Sequence, residues 1–162
     1  MSVNAHRPHL YILPEDDANR KLAIGFLLYQ FLSAQNLRVL KPSGGWLKVL
    51  DQFKSRHIPE MAANPKRFMV LLIDFDNDPN RLSTAKKEIP ANLADRVFIL
   101  GVLSEPERLK SNLGQSYEEI GKKLAFECHE NSSKVWAHPF LKHNQNEIAR
   151  MQNTLAPMLF SA

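Results

Sequence analysis

The sequence predicts a single α/β domain built on a mostly parallel sheet of about four strands. Two segments carry this prediction, residues 68–73 and 97–103, because each is apolar along its whole length. Continuous apolar character without alternation is typical of a strand that is buried on both faces of a parallel sheet. Strands that alternate with helices along a chain favour right-handed crossovers and helices on both faces of the sheet.

The first 45 residues are predicted to contain two strands separated by a helix. A strand at 9–13 ends near Pro14, and the acidic residues that follow favour the first turn of a helix over 17–34 through the helix dipole. A second strand at 37–40 precedes the breaker segment 41–45, Lys-Pro-Ser-Gly-Gly.

The middle of the chain is predicted to contain a helix, the third strand and a connection. Apolar positions at helical spacing predict a helix over 46–56, and Pro59 and Pro65 are expected to break the chain before the strand at 68–73. The connection over 79–96 has room for one short helix.

The part of the chain over about 104–162 is predicted to be a helical extension of the α/β core at about 9–103. Ser104 to Glu107 has the spacing of a capping box, which would begin a short helix that ends at Gly114. Ser116 repeats this spacing, and Pro139 marks a helix start. The last helix is expected to place four apolar residues on one face: Ile148, Met151, Leu155 and Leu159.

Length and composition predict one soluble domain of 1–162. The single cysteine, Cys128, excludes an internal disulfide framework, and the absence of a signal-peptide pattern at the amino terminus predicts a cytoplasmic protein. The most apolar run, 22–32, is too short to cross a membrane. The net charge of +4 is compatible with a nucleic-acid partner but does not indicate one.

One cluster of cysteine and histidine residues in the last third of the sequence does not predict a zinc site. Cys128, His129, His138 and His143 lack the short paired spacing of zinc ligands, so Cys128 is expected to pack in the core. Trp136 is also expected to be buried.

The candidate site is a group of acidic residues at strand ends. Asp74, Asp76 and Asp78 alternate directly after the apolar run 68–73, and the carboxyl ends of parallel strands are where open α/β sheets bind ligands. Like charges so close together favour a hard divalent cation, most simply Mg²⁺ or Mn²⁺. A solvated turn at 77–80 is the alternative interpretation, since Asn, Asp and Pro are common turn residues.

Glu15 follows the first strand, so it is expected to meet Asp74 and Asp76 across one crevice. A glutamate after the first strand and an Asp-x-Asp pair after the third resembles the Toprim domain of topoisomerases, primases and the overcoming-lysogenisation-defect nucleases. Gly44-Gly45 after the second strand is similar to that family too, whereas Asp16 stands where the family commonly has glycine.

The resemblance implies that Asp74 and Asp76, with Asp78 beside them, hold Mg²⁺ or Mn²⁺ while Glu15 transfers a proton. It implies a magnesium-dependent nuclease or nucleotidyl-transfer activity, a hydrolase of the phosphodiesterase type if the protein is an enzyme. DNA or RNA is then the expected partner. Four lysines are candidate contacts to the nucleic-acid backbone, with ordinary surface lysines as the alternative interpretation: Lys41, Lys48, Lys86 and Lys87.

Two alternatives stay open. Acidic residues after the first strand, Asp74 after the third and Ser104 after the fourth resemble the phosphoacceptor receiver domain of response regulators, although no lysine after a fifth strand is found. The other is a non-catalytic Toprim-like scaffold that binds a partner protein such as an ATPase. The sequence does not indicate the oligomeric state or the role of the His138 and His143 region.

Overall fold

A four-stranded parallel sheet forms the centre of the protein, as the computed structural model shows for residues 3–161. All three strand pairings are parallel, and the α/β prediction is confirmed. The strands are β1 (His9–Pro14), β2 (Leu37–Val39), β3 (Arg67–Leu72) and β4 (Val97–Leu100). Their order in the sheet is β2-β1-β3-β4, so the order reverses between β1 and β3. Such a switch point is the usual place for a ligand in an open α/β sheet.

Helices cover both faces of the sheet. The described residues 3–161 form seven α-helices: α1 (Asp17–Leu27), α2 (Trp46–Gln52), α3 (Ile58–Ala63), α4 (Pro79–Lys87), α5 (Pro106–Leu113), α6 (Tyr117–Glu130) and α7 (Gln145–Leu159). One apolar cluster joins the sheet to α1, α5, α6 and α7, and a second joins its other face to α2, α3 and α4. The α6–α7 layer is the predicted helical extension, with Trp136 buried beside it.

The predicted break at Pro59 is wrong, because helical structure continues from Trp46 to Ala63. Phe53–His57 is a π-helical segment in which the N–H of Ile58 donates to the carbonyl of Phe53. Proline lacks an N–H and its ring clashes with the carbonyl four residues earlier in an α-helix. The wider π turn comes just before Pro59, which then lies in the first turn of α3.

Tertiary contacts also shorten or move three predicted elements. The first helix ends at Leu27 rather than at 34, because the chain beyond it pairs with the carboxy-terminal segment, where the N–H of Ser33 donates to the carbonyl of Leu159 at 2.7 Å. Pro139 does not begin a helix; a 3₁₀ turn at Lys142–Asn144 leads into α7 instead. The cap of α5 is Glu105 and not a capping box at Ser104.

Other predicted features of the extension are confirmed. The Ser116 hydroxyl accepts from the N–H of Glu119 at 3.1 Å, and Gly114 ends α5 with a φ of +64°. All four apolar residues assigned to the last helix are buried, and Pro157 lies inside α7 near its end. Burial raises the pKa of the Cys128 thiol to about 12, which suits a packed, unreactive side chain.

Polar side chains of the extension cover the open edge of β4. Glu147 Oε2 accepts from the N–H of Ile99 at 2.9 Å, and the Asn144 amide donates to the carbonyl of Gly101 at 2.9 Å and accepts from its N–H at 3.2 Å. Arg150 donates to the carbonyl of Val97 at 2.9 Å. An uncovered edge would expose unpaired backbone groups to other chains, so these contacts protect the sheet.

No helix within 3–161 is long and apolar enough to cross a membrane.

Candidate functional site

Glu15 and Asp74 meet at the switch point between β1 and β3. Glu15 directly follows β1, and Asp74 lies two residues beyond β3. The backbone N–H of Asp74 donates to Glu15 Oε2 at 2.6 Å, which joins the two strand ends. The N–H of Gly44 donates to the carbonyl of Glu15 at 2.8 Å, and the φ of +93° at Gly44 is a backbone conformation that glycine adopts without strain. The glycine-containing turn therefore closes over the end of β1.

Asn19, which the sequence did not single out, bridges two carboxylates. Its side chain is fully buried, and its amide nitrogen donates to Asp16 Oδ1 at 3.0 Å and to Asp74 Oδ1 at 2.8 Å. Asp16 is the N-cap of α1 and also accepts from the N–H of Asn19 at 2.9 Å. The N-cap spacing of Asp16 and Asn19 is a local signal, but the contact of Asn19 with Asp74 joins residues 55 apart in sequence.

The crevice crowds negative charge. Burial raises the pKa of Asp74 to about 8, and the charges of Asp16, Glu15 and Glu107 act in the same direction, while the hydrogen bond from Asn19 opposes them. Burial also raises the pKa of Glu15, with the charge of Asp16 adding to the effect. We call Glu15, Asp16, Asn19 and Asp74 the carboxylate crevice. Its carboxylates favour a proton or a cation, since either compensates their mutual repulsion.

The positively charged side chain of Arg81 contacts this crevice. Its Nη1 donates to the carbonyl oxygen of Asp74 at 2.9 Å, and its Nη2 lies 3.5 Å from Asp76 Oδ2. The guanidinium also lies over the Trp46 ring, 5.0 Å from the ring centroid. These contacts fix Arg81 from three directions, so it supports the turn after β3 rather than pairing with the half-buried Asp74 carboxylate.

Asp76 and Asp78 do not lie with Asp74 in the crevice. Asp76 is exposed and has a φ of +49°, and Asn77 follows with +54°, so the extended geometry stops there. The Asp78 side chain caps α4 by accepting from the N–H of Asn80 at 2.9 Å. The chain turns over residues 75–78, where the N–H of Asp78 donates to the carbonyl of Phe75 at 2.8 Å, and not at 77–80 as expected, because Pro79 and Asn80 already belong to α4.

Buried hydroxyls follow the other two strands. The side-chain oxygens of Ser43, after β2, and Ser104, after β4, are buried, and neither has a hydrogen-bond partner within residues 3–161. The side-chain amide oxygen of Asn19, Oδ1, is likewise without a partner in the described part of the chain. The backbone N–H of Ser43 donates to the carbonyl of Pro14, and the backbone carbonyl of Ser104 accepts from the N–H of Asp76, so both residues lie at the carboxyl edge of the sheet.

The four predicted lysines are all exposed but do not share one position. Lys41 follows β2 and Lys48 lies in the first turn of α2, so both are near the carboxyl edge of the sheet. Lys86 and Lys87 lie in the last turn of α4, a helix that starts at that edge and runs about 12 Å away from it. The first pair is thus better placed than the second to contact a ligand of the crevice.

The described side chains do not form a ready-made metal cage. Among residues 3–161, no three His, Cys, Asp or Glu side chains lie close enough together to hold a metal ion. This includes the region of His138 and His143, where the His143 ring packs edge-on against Phe75 at 5.0 Å. Mg²⁺ commonly uses only one or two protein carboxylates and completes its shell with waters and phosphate oxygens. Glu15 and Asp74 fit that mode of binding, whereas a closed protein cage is not present in the described residues.

Comparisons with protein-family models, with curated proteins and with solved structures give no significant match to this chain.

Proposed function

We propose that the carboxylate crevice binds Mg²⁺ or Mn²⁺ and serves phosphodiester chemistry on nucleic acid, as a nuclease or nucleotidyl-transfer module. The 2.6 Å hydrogen bond from the backbone N–H of Asp74 to Glu15 Oε2 carries the proposal, because it brings the Glu15 carboxylate beside Asp74 at the switch point of the sheet. The charge of Asp16 beside them makes the crevice favourable for a cation. The resemblance to the Toprim pattern at Glu15 and Asp74 supports the same chemistry.

The residues of the crevice have different tasks in this proposal. Glu15 and Asp74 would hold the cation, and the ion, when bound, would orient a phosphodiester and stabilise charge on its oxygens. Asn19 keeps the Asp74 carboxylate in place through its 2.8 Å hydrogen bond. A carboxylate oxygen of Glu15 that does not bind the ion would accept the proton of an attacking water.

Glu15→Gln tests this function. Glutamine keeps an oxygen that can accept from the N–H of Asp74 but cannot take up a proton, so cleavage of DNA or RNA with Mn²⁺ should fall by about 100-fold or more. Asp17→Asn is the matched control, because Asp17 is exposed and forms a surface ion pair with Lys21 at 3.3 Å. The assay uses single- and double-stranded DNA and RNA. Equal rates for the two variants would refute the role of Glu15, and no cleavage of any substrate by the wild type would refute the proposed function.

A phosphoacceptor receiver is the second candidate. One observation favours it. The buried Ser104 hydroxyl follows β4, the strand next to β3, so it lies at the same edge of the sheet as a phosphoryl group on Asp74 would. The sheet of residues 3–161 has four strands, and a receiver-type lysine would follow a fifth. Labelling of Asp74 by acetyl phosphate would favour the receiver over the nuclease.

A further inference from the structure

A second polar site lies on the sheet face that packs against α2 and α3. It is a cleft of about 370 Å³. We call it the basic cleft, and its polar lining consists of Tyr11, Arg38, Arg56, His57, Glu60 and Arg67. The strand residues come from β1, β2 and β3, and the helical residues come from the π-helical segment and α3. Because β2 is an edge strand, the cleft is open on that side.

Two arginines are held in place by the Tyr11 ring. Tyr11 and Arg38 are register partners on the neighbouring strands β1 and β2. The Arg67 guanidinium lies 4.2 Å from the centroid of the Tyr11 ring, and that of Arg38 lies 5.8 Å from it. Stacking on an aromatic ring leaves the N–H groups at the rim of a guanidinium free to donate. The ring therefore orders two guanidinium groups before any ligand arrives.

The basic cleft has more positive than negative charge. Glu60 is its one carboxylate, and it accepts from Arg67 at 3.0 Å through Oε2 and from Arg56 at 3.5 Å through Oε1. Arg38 has no ion pair with any carboxylate of residues 3–161. Three arginines against one carboxylate leave an excess of two positive charges. This excess matches the charge of a terminal phosphate group.

His57 supplies a buried polar atom without a partner. The residue is 2% exposed, and its Nδ1 has no hydrogen-bond partner in the part of the chain that the structure describes. The nearest carboxylate oxygen, Glu60 Oε2, is 4.0 Å away, which is too long for a hydrogen bond. His57 ends the π-helical segment, and π turns frequently occur at functional sites. An unpaired buried group costs free energy, so a function that uses His57 accounts for its position better than packing does.

We propose that the basic cleft binds the terminal phosphate or diphosphate of a small phosphorylated ligand. Arginine side chains bind phosphate oxygens through two parallel N–H donors, and Arg38 and Arg56 are the exposed members available for this contact. A diester backbone carries one charge per phosphate, which matches the excess of two charges less well than a terminal phosphate does. The site is separate from the carboxylate crevice, because Arg67 begins β3 and Asp74 lies seven positions further on, roughly 23 Å along an extended chain. The proposal therefore does not depend on the proposed function.

The experiment is a titration of the full-length, ¹⁵N-labelled protein with pyrophosphate in the presence of EDTA, followed by NMR. Amide signals of Tyr11, Arg38 and His57 should shift, and Arg38→Gln should weaken binding about tenfold, because it removes a hydrogen bond to a charged group. Lys123→Gln removes the same charge from an exposed position on α6 and should leave the affinity unchanged. Arg38→Lys should bind pyrophosphate more weakly than the wild type but more tightly than Arg38→Gln, since lysine keeps the positive charge but lacks the two parallel N–H donors of a guanidinium.

Competition identifies the source of the phosphate. ADP and a short single-stranded DNA without a terminal phosphate are compared as competitors of pyrophosphate. ADP should displace pyrophosphate at a lower concentration than the oligonucleotide does. Tighter binding of the oligonucleotide would overturn the assignment to a terminal phosphate. If the amide signals of the cleft residues do not shift, or if Arg38→Gln and Lys123→Gln weaken pyrophosphate binding equally, the site itself is overturned.

Discussion

Asp74→Asn is expected to stabilise the cation-free protein at pH 8 while abolishing its binding of Mn²⁺. The Asp74 carboxyl has an ordinary pKa of 3.8 and a folded-state pKa of about 8. A carboxyl with a raised pKa contributes stability below pH 4 that is lost as the pH rises toward 8, because the folded state then has to hold an unfavourable charge. Asparagine has no such charge and can still accept the hydrogen bond from Asn19.

The expected gain of Asp74→Asn is on the order of 2 kcal/mol at pH 8, since solvent partly screens the crevice. This corresponds to a melting temperature about 4–8 °C higher than that of the wild type. The difference should shrink as the pH falls from 8 to 4. Asp76→Asn is the matched control: Asp76 is exposed, so its stability should change by less than about 0.5 kcal/mol. A pH-independent difference between Asp74→Asn and the wild type would contradict the assigned pKa.

Gly121→Ala is expected to cause a large loss of stability. A Cβ at Gly121 would lie 2.1 Å from the carbonyl oxygen of Leu22 and 2.8 Å from the backbone nitrogen of Phe26. The facing Gly25 is equally restricted, with Glu118 O 2.2 Å from its Cβ position. These neighbours are backbone atoms, so α1 and α6 would have to separate and their buried apolar faces would lose contact.

The cost of Gly121→Ala should exceed the range of about 1–3 kcal/mol that is usual for overpacking, and the melting temperature should fall by about 10 °C or more. Gly114→Ala adds the same methyl group where nothing lies within 4 Å, but at a φ of +64°. Its cost should be only about 1–2 kcal/mol, the strain of a left-handed alanine. Thermal unfolding followed by circular dichroism measures both. A smaller effect for Gly121→Ala than for Gly114→Ala would contradict the close packing of α1 and α6.

The strands and their ends could be predicted because their causes are local or topological. Unbroken apolar runs identify β3 and β4, and parallel strands bring their carboxyl ends to one edge, which is why the contact of Glu15 with Asp74 could be expected. Asn19 and Arg81 could not be found in this way. Their roles depend on distances between chain segments, such as the 2.8 Å from Asn19 to Asp74.

Local signals were misleading where another interaction was stronger. Proline usually breaks a helix, but the π turn at Phe53–His57 carries the chain past Pro59. Alternation predicts that Asp74 and Asp76 point the same way, but the positive φ of Asp76 ends the extended segment. The basic cleft was not predicted, because Arg38, Arg56 and Arg67 come from three different elements and form no run in the sequence.

The position of a bound cation tests the central claim most directly. Crystals of the protein, soaked in Mn²⁺ and measured at the manganese absorption edge, should show an anomalous peak between the carboxylates of Glu15 and Asp74, and crystals of Asp74→Asn should lack it. A peak at the exposed Asp76 and Asp78 instead, or no peak at the crevice with Mn²⁺ at about 10 mM, would contradict the account.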